Sequence, residues 1–78
     1  PIDPNYPRER VDFMLTDSGA TTGLTLSAHL LSLPSSVDWI VLDDPEVAAH
    51  VGSFGIDPVT EVERRGTVRL DSAVYVIY

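Results

Sequence analysis

No cysteine and no lysine occur in the 78 residues of this chain. Without cysteine, neither disulfides nor a thiolate metal site can staple the fold. Without lysine there is no ammonium group to form a Schiff base or to hold a phosphate. Basic charge is scarce in general: five arginines face twelve carboxylates, for a net charge of −7. Such a surface repels DNA and RNA, so nucleic acid is not expected as a partner. Long hydrophobic runs are missing too. The longest apolar-leaning stretch, "GLTLSAHLLSL", has eleven residues, too few to span a bilayer. No basic region precedes it, so it is not a signal peptide. A soluble, cytoplasmic chain with no membrane partner is expected.

What is present fits at most one small domain. A chain of this size buries only about 60% of its unfolded surface, so its stability is marginal unless something else covers it. The sequence begins at Pro1 rather than at a methionine and stops at Tyr78, on the apolar run "AVYVIY". Both ends suggest an excerpt of a longer polypeptide.

The chain opens with three prolines in "PIDPNYP", which favour an extended segment and then a turn. Asn5 is placed to cap a helix, with Pro7 in its first turn and Glu9 near the positive end of the dipole. Val11, Met14, Leu15 and Ser18 then recur at helical spacing, and Gly19 supplies a left-handed stop. Phe13 lies off that face. The run 21–26 is rich in β-branched residues and suits a strand. Ser27 is placed to cap a short helix that Pro34 ends. "VDWIVL" (37–42) is a nearly continuous apolar run of the kind found in parallel strands covered on both faces. Asp44, Pro45, Glu46 and Gly52 mark the start and stop of another helix. Residues 53–71 have no steady period and are read as a surface loop, and 73–78 as a last strand. Strands alternating with helices predict an α/β fold with a mostly parallel sheet flanked by helices.

Several stretches carry possible chemistry. "DSGATT" (17–22) is similar to the active-site loop of aspartic proteases, in which two carboxylates share one proton. A retroviral-type protease half built on Asp17 is therefore the alternative function. Its context opposes it, because the residues before Asp17 run at helical period where a protease needs a strand. Asp43 and Asp44 follow a buried strand, at the edge where α/β proteins bind ligands, and could hold Mg²⁺. Capping by Asp44, with Asp43 facing water, is the plainer account. His29 and His50 sit on different short helices and lack further ligands for zinc. Trp39 is read as core or as an interdomain contact. "GATTG" and "GSFG" match no phosphate loop or nucleophile elbow. Arg64 and Arg65 are read as solvated. No catalytic, cofactor-binding or metal residue is assigned.

Taken together, the two ends and the middle resemble one family. "PIDPNYPRERVDFMLTDSGA" is similar to a core segment of the adenylation domains of nonribosomal peptide synthetases. There a Pro-x-Asp-Pro-x-Tyr-Pro-x-Glu-Arg run leads into a helix ending in Asp-Ser-Gly-Ala. Pro1, Asp3, Pro4, Tyr6, Pro7, Glu9 and Arg10 match, as do Met14, Leu15 and Asp17 to Ala20. "VLDDP" resembles the family's strand-to-helix junction, and "AVYVIY" the strand that enters its Thr/Ser/Gly-rich phosphate loop. The resemblance implies that residues 1–78 are part of the large N-terminal core of an acyl-adenylate-forming fold, ending just before that loop. It implies a parent ligase that activates an amino acid with ATP and Mg²⁺ to aminoacyl-AMP. The aminoacyl group then passes to phosphopantetheine on a carrier domain. The expected partners are the rest of the adenylation domain, the carrier and the amino acid. The piece itself is expected to be inactive scaffold, because the family's catalytic lysine and nucleotide contacts lie outside it.

Overall fold

A computed structural model describes all 78 residues. In chain order the elements are α1 (Arg8–Ser18), β1 (Thr22–Thr25), α2 (Ser27–Leu30), β2 (Asp38–Val41) and α3 (Pro45–Gly52). The strands form a two-stranded parallel sheet in which Thr22 pairs with Asp38, Gly23 with Trp39, Leu24 with Ile40 and Thr25 with Val41. The predicted mixture of helices with parallel strands is thus present, although the sheet has only two members.

Helix α1 forms because Val11, Met14 and Leu15 share one face and are buried. Ser18, predicted on that face, is exposed, and its hydroxyl donates to the Leu15 carbonyl (3.2 Å). The helix stops where predicted. Gly19 adopts φ 66° and its N–H donates to the Thr16 carbonyl. Its start differs from expectation. Pro7 is the N-cap and no side chain caps the helix. Asn5 instead donates from its amide N–H and its side-chain Nδ2 to Asp3 Oδ1 (2.9 and 3.1 Å). The N-cap position falls at Pro7, two residues beyond Asn5, so Asn5 cannot reach the helix amides as a cap and its donors close a local turn on Asp3.

The sheet is held in register from both ends. The Asp38 N–H donates to the Thr21 carbonyl and the Leu42 N–H to the Thr25 carbonyl, each at 2.9 Å. Between them the Trp39 indole lies over Gly23. A Cβ built on Gly23 would come within 2.2 Å of the ring. The indole Nε1–H donates to the Pro34 carbonyl (2.8 Å), which fixes the ring's direction. Val11, Leu15 and Val37 form the small core, with Ile2, Leu33 and Trp39 packed against it. Trp39 is therefore a half-buried packing residue.

Three local expectations need correction. Helix α2 ends at Leu30, short of Pro34, because Ser32 and Leu33 tighten the chain with bonds to carbonyls three residues back. Gly52 is the last helical residue of α3 and has no positive φ; Ser53 caps the end, and its hydroxyl donates to the His50 carbonyl (2.6 Å). Residues 73–78 do not form a strand and pair with neither β1 nor β2. By contrast, 53–71 is exposed and free of regular structure, as predicted.

Only four residues are buried: Val11, Met14, Leu15 and Val37. The radius of gyration is 15.0 Å, against about 11.5 Å for a compact domain of this length. The 30 backbone–backbone hydrogen bonds compare with about 55 expected of a closed fold of 78 residues. Leu24 and Ile40, paired on one face of the sheet, are 66% and 37% exposed. The strands thus have a floor on one side and little cover on the other. Because the indole fills the space above residue 23, Gly23→Val should destabilise the fold by about 1–3 kcal/mol, the usual cost of overpacking. Urea unfolding at constant m-value measures this, and an unchanged midpoint would count against the Gly23–Trp39 contact.

Candidate functional site

A broad hollow lies between the opening segment, the end of β1, α2 and β2. It measures about 750 Å³. Its wall mixes apolar residues, among them Ile2, Leu26, Leu33, Trp39 and Leu42, with the polar and charged Asp3, Arg8 and His29. No charged residue of the chain is buried, so the hollow is a mostly apolar groove with exposed polar residues on its wall.

The strand-to-helix junction carries the best-organised polar geometry. Asp44 caps α3 as predicted, accepting at Oδ1 from the Glu46 N–H (2.8 Å) and the Val47 N–H (3.4 Å). Pro45 occupies the first turn. Asp43 does not merely face water. It reaches back across the sheet and accepts from the Ser27 N–H and hydroxyl, both at 2.7 Å. This clasp ties the residue after β2 to the first residue of α2. It also corrects the expectation for Ser27, which donates to Asp43 instead of accepting as a cap. The Ser27 hydroxyl, then its amide, hold the Asp43 carboxyl below its usual range. Both carboxylates of the pair are therefore engaged with protein donors. No three His, Asp or Glu side chains converge as metal ligands.

Asp17 lies inside α1, so the helical context that opposed a protease loop is real. Its Oδ2 accepts from the Tyr78 hydroxyl (2.9 Å), which also lies 3.2 Å from the Met14 carbonyl. Partial loss of water around that hydroxyl, then the bond to Asp17 and its charge, raise the Tyr78 phenol above its usual range. Phe13, placed off the buried face by its spacing, meets the Tyr78 ring edge-on with centroids 6.3 Å apart. Sequence reasoning missed this contact. Residues 61 positions apart in the chain carry no local signal of it.

The remaining candidates stay apart. His29 is in α2, whereas His50 in α3 meets Phe54 edge-on at 4.8 Å. Arg64 pairs with Glu61 in an exposed turn. In the same turn the Thr60 amide, then its hydroxyl, donate to Glu63 and lower its carboxyl's pKa.

Comparison with known proteins supplies what the side chains do not. The chain is 32% identical over 80 residues to a dimodular nonribosomal peptide synthase of Bacillus subtilis (strain 168), a match that covers all of this chain and 3% of that protein. Its relatives are nonribosomal peptide synthetases. Bacitracin synthase 3 of Bacillus licheniformis is 36% identical over 78 residues, again the whole chain and 1% of the synthase. Gramicidin S synthase 2 of Brevibacillus brevis is 50% identical over 46 residues, or 59% of this chain and 1% of the synthase. The chain thus corresponds to a few hundredths or less of the length of these synthetases. No family profile matches it. No solved structure matches it either.

The Asp43 clasp has a measurable signature. The folded-state pKa lies below the unfolded value of about 3.9, so the clasp's contribution is complete above that value. It is lost as pH falls through the folded value. Carboxyl-carbon NMR should place Asp43 low in its range, and Ser27→Ala should move it back up. An Asp43 titration that ignores Ser27→Ala would show that the clasp does not form.

Proposed function

We propose that this chain is a structural part of an adenylation domain in a nonribosomal peptide synthetase, within its N-terminal core. The parent would activate an amino acid with ATP to aminoacyl-AMP, releasing pyrophosphate. It would then load the aminoacyl group onto a carrier's phosphopantetheine thiol. The observation that carries this proposal is similarity along the full length of the chain to synthetases, at 36% identity for bacitracin synthase 3. The Pro-x-Asp-Pro-x-Tyr-Pro-x-Glu-Arg opening and its helix support the same assignment.

The residues present do not suit a nucleotide or Mg²⁺ site of their own. Asp43 and Asp44 already accept amide donors, the hollow beside them is mostly apolar, and there is no lysine. No step of the reaction is therefore assigned to this chain. Its part is mechanical. Adenylation depends on holding carboxylate and α-phosphate in line and on stabilising charge at phosphorus. Those functions need rigid walls, and a parallel sheet with clasped ends is such a wall. The exposed Leu24–Ile40 face and the open groove are surfaces for the rest of the domain to cover.

The aspartic protease alternative has no support, because Asp17 belongs to a helix and its carboxylate takes the Tyr78 hydroxyl. The test is ATP–pyrophosphate exchange. The complete synthetase should exchange label with one amino acid, and the 78-residue chain alone with none. Exchange catalysed by the purified chain would overturn the scaffold assignment.

A further inference from the structure

We infer that Asp43 is a positioning residue that decides where the sheet ends and α2 begins, by taking an amide that the strand ladder would otherwise claim. In a parallel ladder every second residue of one strand donates to one partner residue and accepts from the partner two positions further on. The Asp38 N–H donates to the Thr21 carbonyl and the Leu42 N–H to the Thr25 carbonyl, so this alternation runs the length of the pair. The next rung would carry the Ser27 N–H to the Leu42 carbonyl. That rung does not form. The Ser27 N–H goes to Asp43 Oδ1 at 2.7 Å, and the Leu42 carbonyl accepts no backbone donor.

Helix α2 depends on this diversion. It has only four residues, too few to stand on its own hydrogen bonds. No side chain caps it, and Ser27 heads it with an amide that lacks an intrahelical partner. Asp43 supplies that partner from 16 residues away, and its Oδ2 accepts from the Ser27 hydroxyl as well. The two bonds hold Ser27 in a helical turn, across which the His29 N–H reaches the Leu26 carbonyl (3.0 Å).

Without the carboxylate, the Ser27 N–H has the Leu42 carbonyl as its next acceptor. Leu26 is already extended (φ −110°, ψ 154°), so only Ser27 has to change conformation. Taking that acceptor lengthens the ladder by one rung, draws Ser27 into extended backbone and breaks the His29 bond. The junction therefore has two exclusive arrangements, and Asp43 selects the one with the helix. His29, Ser32 and Leu33 follow from this turn and line one side of the groove, so Asp43 also sets where that wall stands. None of this rests on the adenylation proposal.

NMR couplings across hydrogen bonds, measured on the isotope-labelled chain, identify the acceptor of each amide. In the wild-type protein the Ser27 nitrogen should couple to the Asp43 side-chain carboxyl carbon. Coupling to the Leu42 carbonyl carbon instead, or to neither, would overturn the inference without any variant. In Asp43→Ala the coupling should pass to the Leu42 carbonyl carbon. The Ser27 α-carbon shift should then cross from the helical to the extended side of its random-coil value, and the His29 coupling to Leu26 should vanish. Asp43→Asn should keep the wild-type pattern, because its Oδ1 still accepts the N–H and its Nδ2 donates to the Ser27 hydroxyl. Helical shifts retained at 27–30 in Asp43→Ala, or lost equally in Asp43→Asn, would overturn the positioning role. A crystal structure of a complete synthetase carrying Asp43→Ala reads the same choice. The Ser27 nitrogen should lie about 3 Å from the Leu42 carbonyl oxygen, a normal hydrogen-bond distance. An α2 that still begins at Ser27 there would contradict it.

Discussion

The parallel pairing of β1 with β2 is the interaction on which the rest of this structure depends. Parallel strands are stable when both faces are covered, and their connections must climb back over one face. Here α2 and the turn to Val37 make that connection. The Gly23–Trp39 contact brings the strands to a fixed separation, because only a residue without a Cβ fits beneath the indole. The Asp43–Ser27 clasp then joins their carboxyl ends. Core, groove and the α3 junction all take their positions from this pair.

The same pair explains why the chain buries so little of itself. A two-stranded parallel sheet with four buried residues cannot bury enough apolar surface to offset the entropy of ordering 78 residues by much. The expanded radius and the sparse backbone bonding say the same thing in different units. On the proposed function, a part of an adenylation domain is under no requirement to close its own core. Its apolar groove and open sheet face would then be surfaces of assembly, and its well-made polar contacts, at Asp43, Asp44 and Asp17, are joints between elements.

Much of the fold was legible in the sequence, and the reasons are local. The apolar spacing of Val11, Met14 and Leu15, the glycine stop at Gly19 and the Asp44-Pro45-Glu46 start each act within one or two turns of backbone. The runs at 21–26 and 37–42 were readable because strands covered by neighbours are rich in β-branched and apolar residues. What was not legible depends on distance or competition. The Asp43–Ser27 clasp spans 16 positions and the Asp17–Tyr78 contact 61. Asn5 looked like a cap, but the helix starts beyond it, with Pro7 at the N-cap. "AVYVIY" has strand composition, yet a strand needs an edge to pair with. In this chain the segment follows Tyr78 to α1 and leaves both sheet edges open. The candidate site shows the same division, since motifs at 17–22 and 43–44 stood out as chemistry and turned out to be joints.

The central claim is that this sheet acquires its stability from polypeptide that covers it. Amide exchange of β1 and β2, measured in the 78-residue chain and in a complete synthetase, tests that most directly. Protection of the Leu24 to Leu26 and Ile40 to Leu42 amides should be greater in the synthetase by orders of magnitude, with slowing that extends to the Leu24–Ile40 face. Equal protection in the two would show that the sheet stands by itself, and would contradict the account.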